Sequence, residues 1–157
     1  MLVVRSLDGV KSSTITAISF GPNQLAQLPQ FAAVWRGMSV ELWDLLNRTI
    51  IKSFASRTTN ESLPNSRGFL TFSPCGRWLT AASDSCLTLT VWSILSGEVY
   101  GTVQADNDDG FTALEVHPSS LTLACATQKG MFFQFAFDTK KLEKPLNTAR
   151  GKIFKLC

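Results

Sequence analysis

Histidine is nearly absent from this sequence, because His117 is the only one among 157 residues. A serine–histidine–aspartate triad would therefore have to use His117, which Pro118 follows in a turn-like segment. The sequence also lacks the G-x-G-x-x-G and G-x-x-x-x-G-K motifs, whose backbone amides hold phosphate groups. We therefore predict that the protein is not an enzyme and that it uses no cofactor.

Paired cysteines are absent as well, since none of the four lies in a C-x-x-C motif, so a zinc site would need ligands from distant segments. The carboxylates Asp106, Asp108 and Asp109 lie close together, but no distal glutamate completes a calcium loop. They are more typical of a solvent-exposed loop. We predict no metal site and four free thiols in a reducing compartment: Cys75, Cys86, Cys125 and Cys157.

Long apolar runs are missing too. Stretches such as FAAVW and MFF are far shorter than the ~20 residues that span a membrane. The short apolar run at the start of MLVVRSLDGVKSS has no basic region before it, unlike a secretion signal. We therefore predict no membrane contact and an intracellular location, either nucleus or cytoplasm. Hydrophobic content of 45% and charged content of 17% indicate a globular chain.

The sequence does contain a regular pattern of turns and aromatic residues. The segments SFGPN, FSPCG and VHPSS each close an apolar run with a proline-containing turn. A second apolar run then ends in Trp43-Asp44, in Trp92-Ser93 and in Phe137-Asp138, with the aromatic residues 49 and 45 positions apart. Two independent features that recur together at this spacing are typical of WD-type propeller blades.

The repeats divide residues 1–138 into units at about 12–56, 66–105 and 109–138, followed by a tail at 139–157. Runs rich in β-branched and aromatic residues between turn signals predict four strands in each unit. The predicted strands are Thr14–Phe20, Phe31–Trp35, Ser39–Trp43, Thr49–Phe54, Gly68–Ser73, Trp78–Ser83, Leu87–Trp92, Glu98–Val103, Phe111–Val116, Leu121–Ala126, Met131–Phe137 and, within the tail, Lys152–Leu156.

The inner strands have small or apolar residues at nearly every position, as in FAAVW, WLTAAS and LTLACAT. A sheet with one wet face would alternate apolar and polar residues, so this pattern predicts packing on both faces. We expect Trp43, Trp92 and Phe137 to fill the gaps between neighbouring sheets, and Asp44 to serve the same structural role rather than a catalytic one.

These units resemble the WD-repeat β-propeller family over about residues 12–138, most clearly in FSPCGRWLTAASDSCLTLTVWS and in ISFGP followed by VELWDL. The resemblance implies an all-β propeller fold and a non-catalytic scaffold that mediates macromolecular assembly with other proteins. No Gly-His pair precedes any unit, so the family's hydrogen-bond network of Asp, His, Ser or Thr, and Trp is incomplete here.

Three units are too few to close a ring, because propellers typically have 4–8 blades. The apolar segment Leu2–Leu7 could add the outer strand of a preceding blade, giving about three to three and a half blades. The two open faces would be apolar. Either the chain is part of a larger propeller with further blades, or two copies associate to complete each other.

A narrower resemblance is carried by WDLLNRT, SRTTN, VWS and VHPSS, which are similar to the C-terminal blades of the telomerase Cajal body protein family. The Thr58-Thr59-Asn60 segment is the most particular of these elements, although ESLPNS interrupts the chain after it. The resemblance implies a nuclear protein that binds small Cajal-body RNAs and telomerase RNA.

Basic residues at predicted loops and strand ends could contact RNA phosphates or stack on bases. The tail at 139–157 carries a net charge of +5, whereas residues 1–138 sum to −2. Each basic residue taken alone is more typical of a solvated surface than of a binding site. The candidate RNA- or partner-binding residues are Arg36, Arg57, Thr58, Thr59, Asn60, Arg67 and Lys129.

Overall fold

A computed structural model describes residues 15–22, 31–36, 39–55, 67–83, 87–105, 109–119, 122–136 and 153–155. These residues form twelve β-strands and no helix. The strands are β1 Ile15–Phe20, β2 Phe31–Arg36, β3 Ser39–Asp44, β4 Thr49–Ala55, β5 Gly68–Phe72, β6 Trp78–Ser83, β7 Thr88–Ser93, β8 Val99–Gln104, β9 Phe111–Val116, β10 Thr122–Thr127, β11 Phe132–Ala136 and β12 Ile153–Lys155.

The strands form three four-stranded antiparallel sheets in which each strand pairs with its neighbour in sequence. Sheet 1 comprises β1–β4, sheet 2 comprises β5–β8, and sheet 3 comprises β9–β12. The outer pairs of sheets 1 and 2 share a bulge at one position, directly before Trp43 and directly before Trp92. The two sheets therefore have the same local irregularity at equivalent positions.

The sheets stack side by side, with β1 beside β5 and β5 beside β9. The core between sheets 1 and 2 contains Phe54 and Trp92, whose ring centroids lie 5.6 Å apart. Phe31 and Phe72 meet edge to face at the same interface, at 5.4 Å. Because aromatic side chains bury large apolar areas, this core supplies much of the attraction between the two sheets.

The core between sheets 2 and 3 is built from different residues. Trp78 of β6 is buried there and packs on Tyr100 of β8, with ring centroids 5.8 Å apart. Phe133, Phe135 and Cys125 approach from sheet 3. Sheet 2 is therefore packed on both faces, as the nearly continuous apolar pattern of its inner strands predicts.

The predicted strands agree closely with the observed ones, and no observed boundary differs from its prediction by more than two residues where both ends are described. The predicted all-β architecture of four-stranded units is thereby confirmed. The segment Leu2–Leu7 and residue Phe137 lie outside the described residues.

The strand pairing places the turns and strand ends at two opposite ends of the stack, which we call the upper end and the lower end. The upper end holds the β3–β4 turn at residues 45–48 and the β7–β8 turn at residues 94–98. The lower end holds the first residues of β1, β5 and β9 and the β10–β11 turn at residues 128–131. Side chains at the turns and strand ends are displayed on one of these two ends, which makes the ends the natural places to look for a binding site.

Candidate binding surfaces

The β3–β4 turn at the upper end is held by the side chain of Asp44. Its Oδ1 accepts hydrogen bonds from the backbone N–H of Leu46 at 2.9 Å and of Asn47 at 3.0 Å, and its Oδ2 accepts one from Asn47 Nδ2 at 2.8 Å. The bonds from Asn47, together with the one from Leu46, outweigh burial and hold the pKa of Asp44 below its usual value. The turn then displays Leu46, which is 77% exposed.

The β7–β8 turn of sheet 2 repeats this arrangement with different residues. The Ser93 hydroxyl accepts a hydrogen bond from Ser96 N at 3.3 Å, and Ser93 O accepts one from Gly97 N at 2.8 Å. This turn displays Leu95, which is 92% exposed. Leu46 and Leu95 both lie three residues after the aromatic residue of their unit, so the repeat places an exposed leucine on two adjacent sheets.

Lys52 of β4 connects sheet 1 to the β7–β8 turn of sheet 2. Its Nζ donates to the backbone oxygen of Ile94 at 3.0 Å and to that of Leu95 at 2.7 Å. A Cβ added at Gly97 would lie 3.1 Å from Lys52 Cδ. The lysine of sheet 1 therefore fixes the position of the leucine-bearing turn of sheet 2.

Further exposed apolar side chains lie in the β3–β4 turn and at the starts of β4 and β8. Six of the ten large hydrophobic side chains that are exposed among the described residues lie at this place. We call them the upper apolar patch: Leu45, Leu46, Ile50, Ile51, Leu95 and Val99. Such grouping marks a binding surface more often than scattered exposure does.

The charged residues around the patch are mostly basic. Arg48 follows Leu46 in the turn and is exposed, and Arg77 is exposed in the β5–β6 turn, where its backbone oxygen accepts a hydrogen bond from Ile94 N at 2.9 Å. Glu98 is the exposed acidic residue of the β7–β8 turn. The surroundings of the patch therefore favour an acidic partner.

At the lower end, Asp109 differs from the expectation that the acidic carboxylates lie in a solvent-exposed loop, whereas Asp106 and Asp108 lie outside the described residues. Asp109 is 1% exposed, its Oδ2 accepts a 2.6 Å hydrogen bond from Thr127 Oγ1, and its Oδ1 accepts a 2.8 Å hydrogen bond from Lys129 N. Burial raises the pKa of Asp109, but these two bonds and the positive charge of Lys129 outweigh it and hold the pKa below its usual value. The carboxylate fixes the β10–β11 turn.

The predicted binding residues are distributed unevenly between surface and interior. Arg67 and Lys129 are exposed at the lower end, before β5 and in the β10–β11 turn. Arg36 also reaches that end, but it is only 8% exposed, and its Nη1 has no hydrogen-bond partner. Its guanidinium carbon lies 6.0 Å from the centroid of the Trp43 ring. Four predicted residues lie outside the described residues: Arg57, Thr58, Thr59 and Asn60.

The residues expected to pack between sheets lie in the interior where they are described. Trp92 is 1% exposed within the core between sheets 1 and 2. Trp43 is buried on the opposite face of sheet 1, where its Nε1 donates to Glu41 Oε2 at 2.9 Å, and Asp44 is buried at the end of the same strand. Phe137 lies outside the described residues.

The face of sheet 3 that points away from sheet 2 is open. Phe132, Gln134 and Ala136 of β11 are exposed there, and their β10 partners include the half-buried Ala124 and Ala126. The equivalent positions of sheets 1 and 2 are buried in the two cores described above. In sheets 1 and 2 this face packs against the next sheet of the stack. In sheet 3 the same face is uncovered.

Within the described ranges, no helix is long and apolar enough to cross a membrane. The same residues contain no group of three or more histidine, cysteine, aspartate or glutamate side chains placed to hold a metal ion. Cys75 is exposed and Cys125 is buried, and both are free thiols.

No protein-family model matches the chain, and no curated protein matches it. Among solved structures, the chain is similar to the β-propeller domain of Cps50 (Swd1) from Myceliophteria thermophila, with a TM-score of 0.65 and 19% sequence identity. The match covers 94% of this chain and 40% of that chain, so this chain spans less than half of its length. The similarity shows the fold: three blades of a WD-type β-propeller. The narrower resemblance to the telomerase Cajal body protein family gains no support and stays a prediction.

Proposed function

We propose that this chain is a non-catalytic scaffold of WD-repeat type, which mediates macromolecular assembly by docking other proteins. The observation that carries this proposal is the upper apolar patch, with Leu46 and Leu95 exposed at equivalent turns of adjacent sheets. Leaving such side chains in water is unfavourable for the free chain, and a partner that covers them recovers roughly 25 cal/mol for each Å² buried.

The experiment is capture of partners by the immobilised chain from cell extract, with and without RNase. The double variant Leu46→Ser/Leu95→Ser should lose the partners that survive RNase. Ile15→Ser is the matched control, because Ile15 is an exposed apolar residue of β1 at the lower end. Partners retained equally by both variants would contradict the proposal.

The proposed assembly also includes the further blades that would complete the propeller ring. A stack of three sheets is below the 4–8 blades of closed propellers, and the open face of sheet 3 is free to receive another sheet. We propose that further blades of a longer protein complete it. Self-association of two chains is the alternative, and it would place three blades from each copy in one ring.

The alternative function is RNA binding of the telomerase Cajal body protein type, with small nuclear RNA as the ligand. It is favoured by the exposure of Arg67 and Lys129 at the same end of the stack, together with the basic residues of the tail. Arg57 and the Thr58-Thr59-Asn60 segment lie outside the described residues and are proposed for RNA binding from the sequence alone.

Filter binding of RNA across a salt series tests this alternative. Phosphate contacts release counterions, so the affinity should fall as salt rises, and Arg67→Gln/Lys129→Gln should weaken binding and flatten the salt dependence. RNA binding that is independent of salt, or that is unchanged in the double variant, would contradict this alternative function.

A further inference from the structure

We propose that the face of sheet 1 that points away from sheet 2 binds the open face of sheet 3 of a second copy, so that two copies dock head to tail. We call this face of sheet 1 the receiving face; it includes Ile18, Phe20, Arg36 and Glu41. The inference rests on the proposed completion of the ring. In a longer protein the same two faces would receive its further blades, and in the 157-residue chain a second copy takes their place.

The strand pairing defines positions that can be compared across the three sheets. The last residue of the first strand of each sheet pairs with the second residue of the next strand; these residues are Phe20 in sheet 1, Phe72 in sheet 2 and Val116 in sheet 3. Because side chains alternate between the faces of a strand, residues two positions earlier lie on the same face. These earlier residues are Ile18, Leu70 and Leu114.

Both positions are covered in sheets 2 and 3 but exposed in sheet 1. Phe72 is 7% exposed in the core between sheets 1 and 2, and Val116 is 4% exposed in the core between sheets 2 and 3. The residues two positions earlier pack against the same two cores. Phe20 is 74% exposed and Ile18 is 58% exposed. Sheet 1 thus presents the apolar side chains that a preceding sheet buries in the other two sheets.

The uncovered part of the receiving face is confined to β1. Val34 of β2 and Trp43 of β3 lie on the same face, and both are 5% exposed. Within the chain, neighbouring sheets approach each other mainly through their first strands, β1 with β5 and β5 with β9. The exposed side chains therefore lie on the strand that makes the closest approach in the two existing junctions.

The open face of sheet 3 has room for the exposed phenyl ring. In the core between sheets 1 and 2, Phe72 occupies the position of Phe20 and meets Phe31 at the start of β2. Trp78 at the start of β6 is the equivalent of Phe31 in the next core. The equivalent residue of sheet 3 is Thr122, which is half-buried. Since threonine is much smaller than either aromatic residue, a large ring and a small side chain would face each other in the new junction.

The rest of the open face is apolar and accessible. Ala124 and Ala126 are half-buried there, and Phe132 of β11 is 44% exposed. Burying these side chains against β1 of a second copy removes apolar surface from water on both partners. The free energy gained in this way favours association.

The charged residues of the two faces are compatible with this docking. Arg36 on the receiving face is 8% exposed, and its Nη1 has no hydrogen-bond partner. Glu41 on the same face already accepts a hydrogen bond from Trp43. Glu115 is exposed on the open face of sheet 3, where it pairs with Ala124. Docking therefore brings a carboxylate to a face that holds a guanidinium group with an unpartnered nitrogen.

Two such junctions close a ring. Each copy contributes three sheets, so two copies give six, which is within the range of 4–8 blades of closed propellers. The two contacting faces differ, so the interface is heterologous, and assembly stops at two copies only if the ring closes. The predicted assembly is therefore a dimer rather than a filament.

The test is light scattering of the purified 157-residue chain over a concentration series, with a complementation experiment. We expect a mass that rises to twice 17.2 kDa and no further. Phe20→Lys places a charge on the receiving face and Ala124→Lys places one on the open face of sheet 3. Each variant alone should dimerise about tenfold or more weakly than the natural chain. A mixture of the two still contains one intact pair of faces, so its mass should exceed that of either variant alone.

Leu95→Lys is the matched control, because Leu95 is 92% exposed at the upper end and belongs to neither face. It should dimerise as the natural chain does. Thermal unfolding checks that each variant is folded. Ile18→Lys and Gln134→Lys repeat the experiment at other exposed positions of the same two faces.

A chain that stays monomeric throughout the series would overturn the inference, and so would a mass that keeps growing with concentration. Dimers that survive Phe20→Lys, or a mixture that does not recover, would also overturn it, because two copies would then not meet head to tail. The scaffold function is judged separately by partner capture. Capture that depends on Leu46 and Leu95 by a monomeric chain would retain the function and reject the second copy as the occupant.

Discussion

At the scale of single residues, turn positions that look alike have different backbone requirements. Gly97 and Gly130 have φ of 81° and 80°, a region in which residues with a Cβ are disfavoured. A Cβ at Gly97 would also press on Lys52, whereas one at Gly130 would meet nothing within 4 Å. Comparing substitutions at the two glycines therefore separates the energetic cost of backbone strain from that of side-chain crowding.

Alanine at these glycines should lower the free energy of unfolding by different amounts. Gly130→Ala should cost about 1 kcal/mol from backbone strain alone. Gly97→Ala should cost more, because the methyl group also displaces the Lys52 side chain from its carbonyl acceptors. Urea unfolding of the two variants measures the difference, and equal losses would contradict a supporting role for Lys52.

Asp109 should make stability depend on acid pH. Its folded-state pKa is below the usual value of about 4, so its contribution is present at neutral pH and is lost as pH falls below about 4, through the folded pKa. Asp109→Asn should therefore be less stable than the natural chain at pH 7, and the difference should shrink as the pH falls below 4. Thermal unfolding across this range checks the sign. A difference that grows on acidification would contradict it.

The roles of Asp109 and of the exposed leucines were not predicted from the sequence, for a physical reason. A carboxylate in DNDDG is buried only because Thr127 and the Lys129 amide, far along the chain, come to it in the fold. Leu46 follows buried residues of β3, and local pattern does not distinguish a core leucine from one displayed by a turn. The available signal was that Leu46 and Leu95 each lie three residues after the tryptophan of their unit.

At the scale of strands and sheets, the sequence was more informative. Turn residues around short apolar runs located the strands because each strand is bounded by its own local chemistry. Sequence pattern also predicted packing on both faces of the inner strands. It could not show what covers each face: Trp92 and Trp43 lie on the same side of their respective sheets, but Trp92 packs against sheet 1, whereas Trp43 faces away from sheet 2 and donates to Glu41.

Trp92 should therefore be the more informative site for measuring adhesion between sheets. Trp92→Ala removes a side chain that is 1% exposed and in contact with Phe54, so it should cost about 3–5 kcal/mol. Leu95→Ala, in the turn that follows Trp92, is the control and should change stability by less than about 0.5 kcal/mol. Chemical denaturation monitored by circular dichroism measures both, and a small effect of Trp92→Ala would contradict the proposed packing.

At the scale of the whole molecule, the stack of three sheets resembles a section of a repeat protein, in which each unit contacts only its neighbours. The comparison with the longer propeller domain agrees with this description, since the chain spans 40% of it. The sequence predicted about three to three and a half blades, and the described residues form three four-stranded sheets. It could not determine what covers the open face of sheet 3, because that information lies outside these three repeats.

If the open face of sheet 3 has to be buried against another sheet, the isolated chain should self-associate in solution. Light scattering should then give a mass above 17.2 kDa. Ala124→Lys should shift the population toward monomer, because it places a charge among the small residues of the open face. A purified chain that stays monomeric at high concentration would contradict the need for cover.

The reactivity of the Cys125 thiol can be used to measure how often sheets 2 and 3 separate. Burial in their shared core raises the pKa of its thiol to about 11, so the folded chain offers a labelling reagent neither access nor thiolate. In a chain whose other three cysteines are replaced by serine, the rate of modification at Cys125 should report how often this interface opens. The same thiol that is inert in the closed stack thus makes its transient opening measurable at a residue of the natural sequence.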